Sequence, residues 1–255
     1  MITAGVDCGS KNVKVIILKD NAILNKSLVL AGVDTEAAAK EAYEKALENA
    51  GISMDQVEKV VSTGAGKTEC TFADESITEV GADARGIIQL FPDVRTVIDV
   101  GAEEGRAIMV SAEGKVVDFT INEKCAAGAG AFTEAMARAL EVKLEELGEL
   151  SLKSTQAIPM NAQCTVFAES EVVTLVHRKT PKSDMARAIH DAIADRITSM
   201  VRRVGIEHKI ALIGGVARNI GFVKSLNEDL ETEVIIPEDP EFVSALGAAV
   251  IATDK

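Results

Sequence analysis

The amino-acid sequence predicts an α/β protein with two related lobes, each opening with three antiparallel strands. Apolar positions from Ile2 to Cys8 and from Val13 to Leu18 flank a short loop, which is typical of a hairpin. An Asp-x-Gly triplet ends the first strand at Asp7 to Gly9, and a second triplet ends a later strand at Asp99 to Gly101. Further strands are predicted after both triplets. Such internal similarity indicates a duplicated architecture.

In the first lobe, a third strand and a helix are predicted after the hairpin. The strand spans Ala22 to Leu30, and Asp34 or Thr35 caps the helix. Alanine and leucine recur in the helix at helical spacing until Gly51 ends it. The next predicted strand covers residues 57–62.

A glycine-rich stretch follows that strand and resembles the end of a Walker A loop. Residues 64–68 read Gly-Ala-Gly-Lys-Thr, but a Walker A loop needs another glycine five residues before the Gly-Lys-Thr. The chain has Val61 in that position, inside the predicted strand. We therefore predict an ordinary turn between a strand and a helix here, and nucleotide binding elsewhere.

The second lobe is predicted to repeat the three strands and then to become mostly helical. Ser183 is predicted to cap its longest helix, which ends at Gly205. The predicted strands cover 96–101, 106–110, 115–121 and 209–213. The other helical segments cover 132–140 and 166–176, with residues 144–152 between them.

The lobe boundaries follow from this repeat. A closing helix, capped by Asp239 with Pro240 in its first turn, is assigned to the first lobe. We place lobe one at residues 1–94 plus 240–255 and lobe two at residues 95–239.

Three glycine turns are candidate nucleotide-binding elements. Glycine lets backbone amides approach a polyphosphate closely, and Asp7 and Asp99 are placed to hold a hydrated Mg²⁺. The third turn, after the strand at 209–213, is predicted to hold the adenosine. The candidate binding residues of the three turns are Gly9, Ser10, Lys11, Gly101, Ala102, Gly214, Gly215 and Val216.

Two of the four cysteines lie at predicted helix N-termini. Cys125 precedes a run of small residues, and Cys164 precedes the helical segment 166–176. Because Gly128 and Gly130 leave backbone N–H groups uncovered, an anionic ligand near the Cys125 thiolate is expected. A cysteine in this position can ligate or react, or it can simply fill a tight turn.

Composition excludes several classes of protein. The net charge of −13, with no basic cluster larger than Arg202-Arg203, argues against a nucleic-acid partner. No apolar run approaches the roughly 18 residues of a membrane span, and no secretion signal is evident, so a cytoplasmic protein without structural disulfides is expected. The three histidines, His177, His190 and His208, share no metal-ligand spacing.

Together these motifs resemble the actin, heat-shock ATPase and sugar-kinase superfamily, which binds ATP between two ribonuclease H-like lobes. Within it, residues 124–130 (KCAAGAG) and 164–171 (CTVFAESE) are similar to the two cysteine motifs of the BadF/BadG/BcrA/BcrD family. That family contains ATP-dependent activators of 2-hydroxyacyl-CoA dehydratases and ATPase subunits of benzoyl-CoA reductases. The resemblance covers nearly the whole chain.

The resemblance implies an ATPase that delivers low-potential electrons to a partner iron–sulfur enzyme. It implies a homodimer, or a pair with a related ATPase subunit, that shares one [4Fe–4S] cluster through Cys125 and Cys164, since a cubane needs four thiolates. Cys8 and Cys70 are then structural. ATP or ADP with Mg²⁺, and ferredoxin or flavodoxin as the electron source, complete the implied set of ligands and partners.

One departure from the family pattern concerns catalysis. The dehydratase activators carry Gln after the second Asp-x-Gly triplet, where this chain has Glu103; a carboxylate there can still orient or deprotonate water. Glu103, with Asp7 and Asp99, is the expected catalytic set. Residues 105–107, Gly-Arg-Ala, look more like the benzoyl-CoA reductase branch, which leaves a fixed reductase subunit as an alternative.

Two other classes of protein remain as alternatives within the superfamily. The chain length suits a small-molecule kinase, but a kinase gives no reason for cysteines at two helix N-termini. An actin-like filament protein would need subdomain insertions, for which this chain has no room. Two cysteine-bound irons per chain would separate the electron donor from both.

Overall fold

The computed structural model describes residues 1–122, 129–160 and 165–254, and within these ranges it has nine strands and eight α-helices. The chain forms two compact units. Unit one comprises Met1–Val97, Val110–Val117 and Pro237–Lys255, and unit two comprises Ile98–Met109 and Asp118–Ile236.

The first sheet has the strand order β3-β2-β1-β4-β5. β1 pairs antiparallel with β2 and parallel with β4, and this parallel register places Asp7 opposite Thr63. The predicted hairpin, third strand and first helix are confirmed. The elements are β1 (Ile2–Cys8), β2 (Asn12–Lys19), β3 (Ala22–Leu30), α1 (Thr35–Ala50), β4 (Lys59–Thr63), β5 (Glu75–Ser76) and α2 (Glu79–Leu90).

The second sheet has the strand order β8-β7-β6-β9, the same order as the first four strands of sheet one. A parallel bridge between Ala211 and Ile235 occupies the place that β5 has in the first sheet. The elements are β6 (Thr96–Val100), β7 (Gly105–Val110), β8 (Val116–Asn122), α3 (Ala129–Ala139), α4 (Leu144–Ser151), α5 (Thr165–His177), α6 (Lys182–Val204), β9 (Ile210–Ile213), α7 (Ile220–Leu230) and α8 (Val243–Ile251).

Each unit has its own apolar core. In unit one, α1 covers one face of the first sheet around Tyr43, and α8 packs against β1 and β2 on residues such as Leu246. A side chain at Gly247 would lie 1.7 Å from the carbonyl of Ala82, so only glycine permits this crossing of α2 and α8. The core of unit two is built around α6, including Ile189 and Ile193.

Three features of the helices differ from the sequence prediction. α6 begins at Lys182 with Pro181 as its cap, not Ser183, because the Pro181 carbonyl accepts the backbone N–H groups of Asp184 and Met185 at 3.1 Å. Helix α7 was not predicted, and α2 begins only at Glu79 instead of directly after the turn at 64–68. The N-caps of α2 and α7 are Thr78, whose side chain accepts the backbone N–H of Gly81, and Asn219, whose side chain accepts those of Gly221 and Phe222.

No helix in the described ranges has the length and apolar character that crossing a membrane requires.

Candidate functional site

The first predicted phosphate turn connects β1 to β2. Asp7 is buried at the end of β1, and its Oδ2 lies 2.7 Å from Lys14 Nζ. Ser10 and Lys11 are exposed. The buried pair therefore holds the turn in place, and an exposed hydroxyl and an exposed ammonium remain on its surface.

The glycine stretch at 64–68 lies directly against this turn. Gly64 has a φ of +94°, and a Cβ at this position would be 2.6 Å from both Asp7 Oδ1 and the Cys8 carbonyl oxygen. The backbone N–H of Gly66 donates a 2.8 Å hydrogen bond to the same carbonyl. The turn continues into a short 3₁₀ helix, Lys67–Glu69. Sequence reasoning predicted the turn but missed this contact.

Cys8, in the first phosphate turn, and Cys70, just after the glycine stretch at 64–68, form a pair in the interior of unit one. Both cysteines are buried and free. A hydrogen bond with Cys70 and burial raise the pKa of the Cys8 thiol above its usual range. Because a protonated thiol is a weak ligand and nucleophile, this environment agrees with the structural role predicted for the pair.

The second predicted phosphate turn follows β6 and repeats the ion pair of the first. Asp99 is buried, and its Oδ2 lies 2.5 Å from Nη1 of Arg106, which also pairs with Glu104. The N–H of Gly101 donates to the Glu104 carbonyl at 2.9 Å and closes the turn. Glu103 is exposed at its tip.

The predicted adenosine turn lies against the second phosphate turn. Gly214 has a φ of +86°, and a Cβ there would lie 2.5 Å from Asp99 Oδ1 and 2.4 Å from the carbonyl oxygen of Val100. Gly215 then begins a short 3₁₀ helix, Gly215–Arg218, and faces open space. Gly214 thus contacts Asp99 as Gly64 contacts Asp7. The sequence contains a signal for this equivalence, because Gly64 and Gly214 each follow a buried strand of their own lobe.

Helix α3 begins on the second phosphate turn. The backbone N–H of Gly130 donates to the carbonyl of Gly101 at 3.1 Å, and that of Ala131 donates to the carbonyl of Ala102 at 2.9 Å. The expectation that the Gly130 N–H is uncovered and available to an anion is therefore wrong, because the turn already accepts it. Gly128 lies outside the described residues.

The two cysteines predicted to bind the cluster, Cys125 and Cys164, also lie outside the described residues. α3 and α5 begin shortly after them, at Ala129 and Thr165, as the sequence predicts. In the described ranges no three His, Cys, Asp or Glu side chains are grouped to hold a metal ion.

A buried carboxylate that sequence reasoning missed anchors the segment leading to Cys164. Asp184 Oδ1 accepts hydrogen bonds from Ser154 Oγ and from the backbone N–H groups of Thr155 and Gln156, at 2.9, 2.8 and 3.3 Å. These hydrogen bonds lower the pKa of Asp184, and the bond from the Thr155 backbone N–H has the largest effect. The segment is therefore tied to the first turn of α6.

A second buried polar group, His190, lies behind the adenosine turn. Asn219 Oδ1 accepts two backbone N–H groups of α7, so its Nδ2 donates to His190 Nε2 at 3.0 Å. This assigns the proton of the neutral ring to Nδ1, which is buried without a partner among the described residues. Burial lowers the pKa of His190 to about 4 from an ordinary value of 6.5.

This environment predicts acid sensitivity of folding. The unfolded chain takes up a proton on this histidine near pH 6.5, whereas the folded protein does so only near pH 4. Stability should therefore fall as the pH is lowered between these values, by up to about 3 kcal/mol from this group. Denaturant unfolding of wild type and His190→Gln between pH 7 and pH 4 measures this pH dependence of the free energy of unfolding. An equal pH dependence in the two proteins would contradict the assignment, and the exposed His177→Gln is the matched control.

These observations define the class of protein. Two sheets of the same order, each with an Asp-x-Gly turn backed by a glycine turn, form the α/β fold of the actin, heat-shock ATPase and sugar-kinase superfamily. A ROK family glucokinase from Streptomyces griseus shares the fold, with a TM-score of 0.59 at 15% sequence identity over 99% of each chain.

The chain belongs to the BadF/BadG/BcrA/BcrD ATPase family, whose model matches residues 4–252. It is 36% identical to the 2-hydroxyisocaproyl-CoA dehydratase activator of Clostridioides difficile, over 100% of this chain and 96% of that protein. It is 39% identical to the (R)-2-hydroxyglutaryl-CoA dehydratase activating ATPase of Acidaminococcus fermentans, over 99% and 97%. A benzoyl-CoA reductase subunit of Thauera aromatica is 31% identical, over 98% and 92%.

Solved structures agree with this assignment. Component A of the A. fermentans (R)-2-hydroxyglutaryl-CoA dehydratase superposes with a TM-score of 0.95 at 38% identity, over 99% of this chain and 97% of that one. The C. difficile activator with bound ADPNP gives a TM-score of 0.93 at 36% identity, over 99% and 94%.

Proposed function

We propose that this protein is an ATP-dependent electron donor that activates a 2-hydroxyacyl-CoA dehydratase. The observation that carries the proposal is full-length similarity, at 36–39% identity, to dehydratase activators. The second candidate is the ATPase subunit of a benzoyl-CoA reductase. It is favoured by Gly105-Arg106-Ala107 and by the 31% identity to the T. aromatica reductase protein.

The nucleotide is proposed to bind to the two phosphate turns and the adenosine turn. The related activator with ADPNP supports this, as do the two glycine-backed aspartates. Asp7 and Asp99 already pair with Lys14 and Arg106. A Mg²⁺ ion that keeps most of its water can bind beside such pairs through its hydration shell. The proposed contacts are Gly9, Ser10, Lys11, Gly101, Ala102, Gly214, Gly215 and Val216.

The electron-carrying part of the proposal rests on Cys125 and Cys164. Their thiolates supply two of the four ligands of a [4Fe–4S] cluster, and a second copy of the chain supplies the other two. Such a cluster accepts and donates one electron at low potential. Ferredoxin or flavodoxin is proposed as the electron source, and the cytoplasm as the location.

The contacts of α3 support communication between the nucleotide and the cysteine. Two backbone hydrogen bonds join Gly101 and Ala102 to the first turn of α3, and Cys125 precedes that turn. A change in the second phosphate turn on hydrolysis therefore acts directly on the start of this helix. This gives ATP a route for biasing two arrangements of the cysteine segment.

The proposed function is tested with anaerobically purified protein. We expect two irons per chain, ATP hydrolysis, and ATP-dependent electron transfer from dithionite to a 2-hydroxyacyl-CoA dehydratase. Transfer only to a benzoyl-CoA reductase would favour the second candidate. An iron-free protein that phosphorylates a small molecule would overturn both.

The nucleotide placement makes a separate prediction at Lys11. Charge-assisted contacts to phosphate contribute about 1.5 kcal/mol or more, so Lys11→Ala should weaken ATP binding roughly tenfold. Isothermal titration with ADPNP measures this, and Lys19→Ala, exposed at the other end of β2, should bind like wild type. Loss of ATP binding in Lys67→Ala, with Lys11→Ala unaffected, would overturn the placement.

A further inference from the structure

The glycine stretch at 64–68, which lacks the glycine spacing of a Walker A loop, contains Lys67. No described residue neutralises the charge of this lysine. Lys67 is half-buried at the start of the 3₁₀ helix, and its ammonium has no hydrogen bond or ion pair with any described residue. Lys14, also beside the first phosphate turn, is instead paired with Asp7 at 2.7 Å. Lys67 thus differs from Lys14 in having no counter-charge within the described part of the chain.

The backbone of Lys67 is held firmly next to the first phosphate turn. Its N–H donates to the Gly64 carbonyl at 3.2 Å, and its own carbonyl accepts from Ser62 Oγ at 3.2 Å. The preceding N–H, of Gly66, donates to Cys8 in the turn itself. The register of β4 against β1 fixes this position, because Thr63 lies opposite Asp7 and Gly64 follows immediately.

A partly desolvated cation without a partner is unfavourable unless an anion arrives. The anion expected at the neighbouring turn is the phosphate chain of ATP. Lys11 is exposed on the first phosphate turn, whereas Lys67 is half-buried on a second turn that is hydrogen-bonded to the first. An ammonium beside the phosphates stabilises the negative charge that develops there during reaction.

We propose that Lys67 is a catalytic residue that stabilises the charge that develops on the terminal phosphate of ATP during hydrolysis. This inference rests on the proposed ATPase function. In the step, the oxygen of water forms a bond to the terminal phosphorus and the bond from that phosphorus to the bridging oxygen breaks. The electron pair stays on ADP, phosphate is released, and the proton of water passes to solvent. Lys67 exchanges no proton and acts through its charge.

The test is a comparison of ATP hydrolysis and nucleotide affinity in the full-length protein. Lys67→Ala should lower kcat roughly 10²-fold, the typical effect of removing a group that contacts transition-state charge. Its affinity for ADPNP should stay within about threefold of wild type. Lys67→Arg keeps the charge and should recover most of the rate.

Lys59→Ala is the matched control, because Lys59 is a half-buried lysine at the start of β4, the strand that leads into the glycine turn, and pairs with Glu75. It should hydrolyse ATP at the wild-type rate. Thermal unfolding of all the variants checks that each is folded.

Two outcomes would overturn the inference. One is a Lys67→Ala protein with wild-type kcat, and the other is a loss of ADPNP affinity that accounts for the whole effect. Electron transfer is not part of this measurement. If wild type hydrolyses ATP but reduces no partner, the electron-donor proposal is wrong. The comparison of kcat between Lys67→Ala and wild type still tests the role of Lys67.

Discussion

Cys125→Ala protein, purified without oxygen, is expected to contain no iron–sulfur cluster and to transfer no electrons to a partner enzyme. A chain that supplies two thiolates to a shared cubane cannot hold it with one, so removing either cysteine should empty the site. Cys164→Ala should behave in the same way. Both variants should also dimerise less tightly, because the proposed cluster would join the two chains. Iron analysis, visible absorption and sedimentation measure these effects.

The two buried cysteines provide the matched controls. Cys8→Ser and Cys70→Ser alter a hydrogen-bonded pair inside unit one, and the raised pKa of Cys8 keeps it protonated. Their iron content should equal that of wild type even if their melting temperatures fall. A full cubane in Cys125→Ala would show that the ligands are wrongly assigned.

The second large effect is expected for Glu103→Ala. Glu103 is an exposed carboxylate at the tip of the second phosphate turn, and we propose that it orients the water that attacks the terminal phosphate. Loss of a water-positioning or general-base group costs roughly 10²–10⁴-fold in rate and little ground-state affinity. The variant should therefore bind Mg²⁺-ATP almost normally, keep its cluster and hydrolyse ATP very slowly. Repeated electron delivery should stall with hydrolysis.

Stopped-flow reduction of the partner, alongside phosphate release with excess dithionite, tests this coupling. Glu103→Gln introduces the residue of the dehydratase activators and should retain most of the activity. The adjacent Glu104 is not a substitute, since it pairs with Arg106. Wild-type multiple-turnover transfer in a hydrolysis-deficient Glu103→Ala would show that ATP does not gate electron flow through this residue. A slow hydrolysis rate already present in wild type would point to the same conclusion.

Much of the fold could be predicted from the sequence, because local patterns determine it. The pattern of apolar and polar residues from Ile2 onward predicted β1 to β3. The cap at Asp34, with Gly51 at the other end, predicted α1. The second Asp-x-Gly triplet predicted the repeated sheet, which the strand orders confirm. Each of these signals lies within a few residues of the element that it predicts.

The contacts between distant segments could not be predicted in this way. Gly64 contacts Asp7 only because β4 pairs in parallel with β1, a register that no local pattern gives. Asp184 and the segment at 154–156 meet because α6 packs beside α4, and the helix cap at Pro181 depends on a carbonyl rather than a side chain. The site that the sequence predicted therefore gained residues that only the fold brings together.

The junction between the second phosphate turn and α3 has a consequence for mutational studies. Its two hydrogen bonds join main-chain atoms of Gly101, Ala102, Gly130 and Ala131, and no side chain takes part. A scan that replaces side chains with alanine passes over the two alanines of this link. A Cβ at Gly130, however, would lie 2.8 Å from the backbone Cα of Ala102. Substitutions that alter main-chain geometry are therefore the ones that reach this connection.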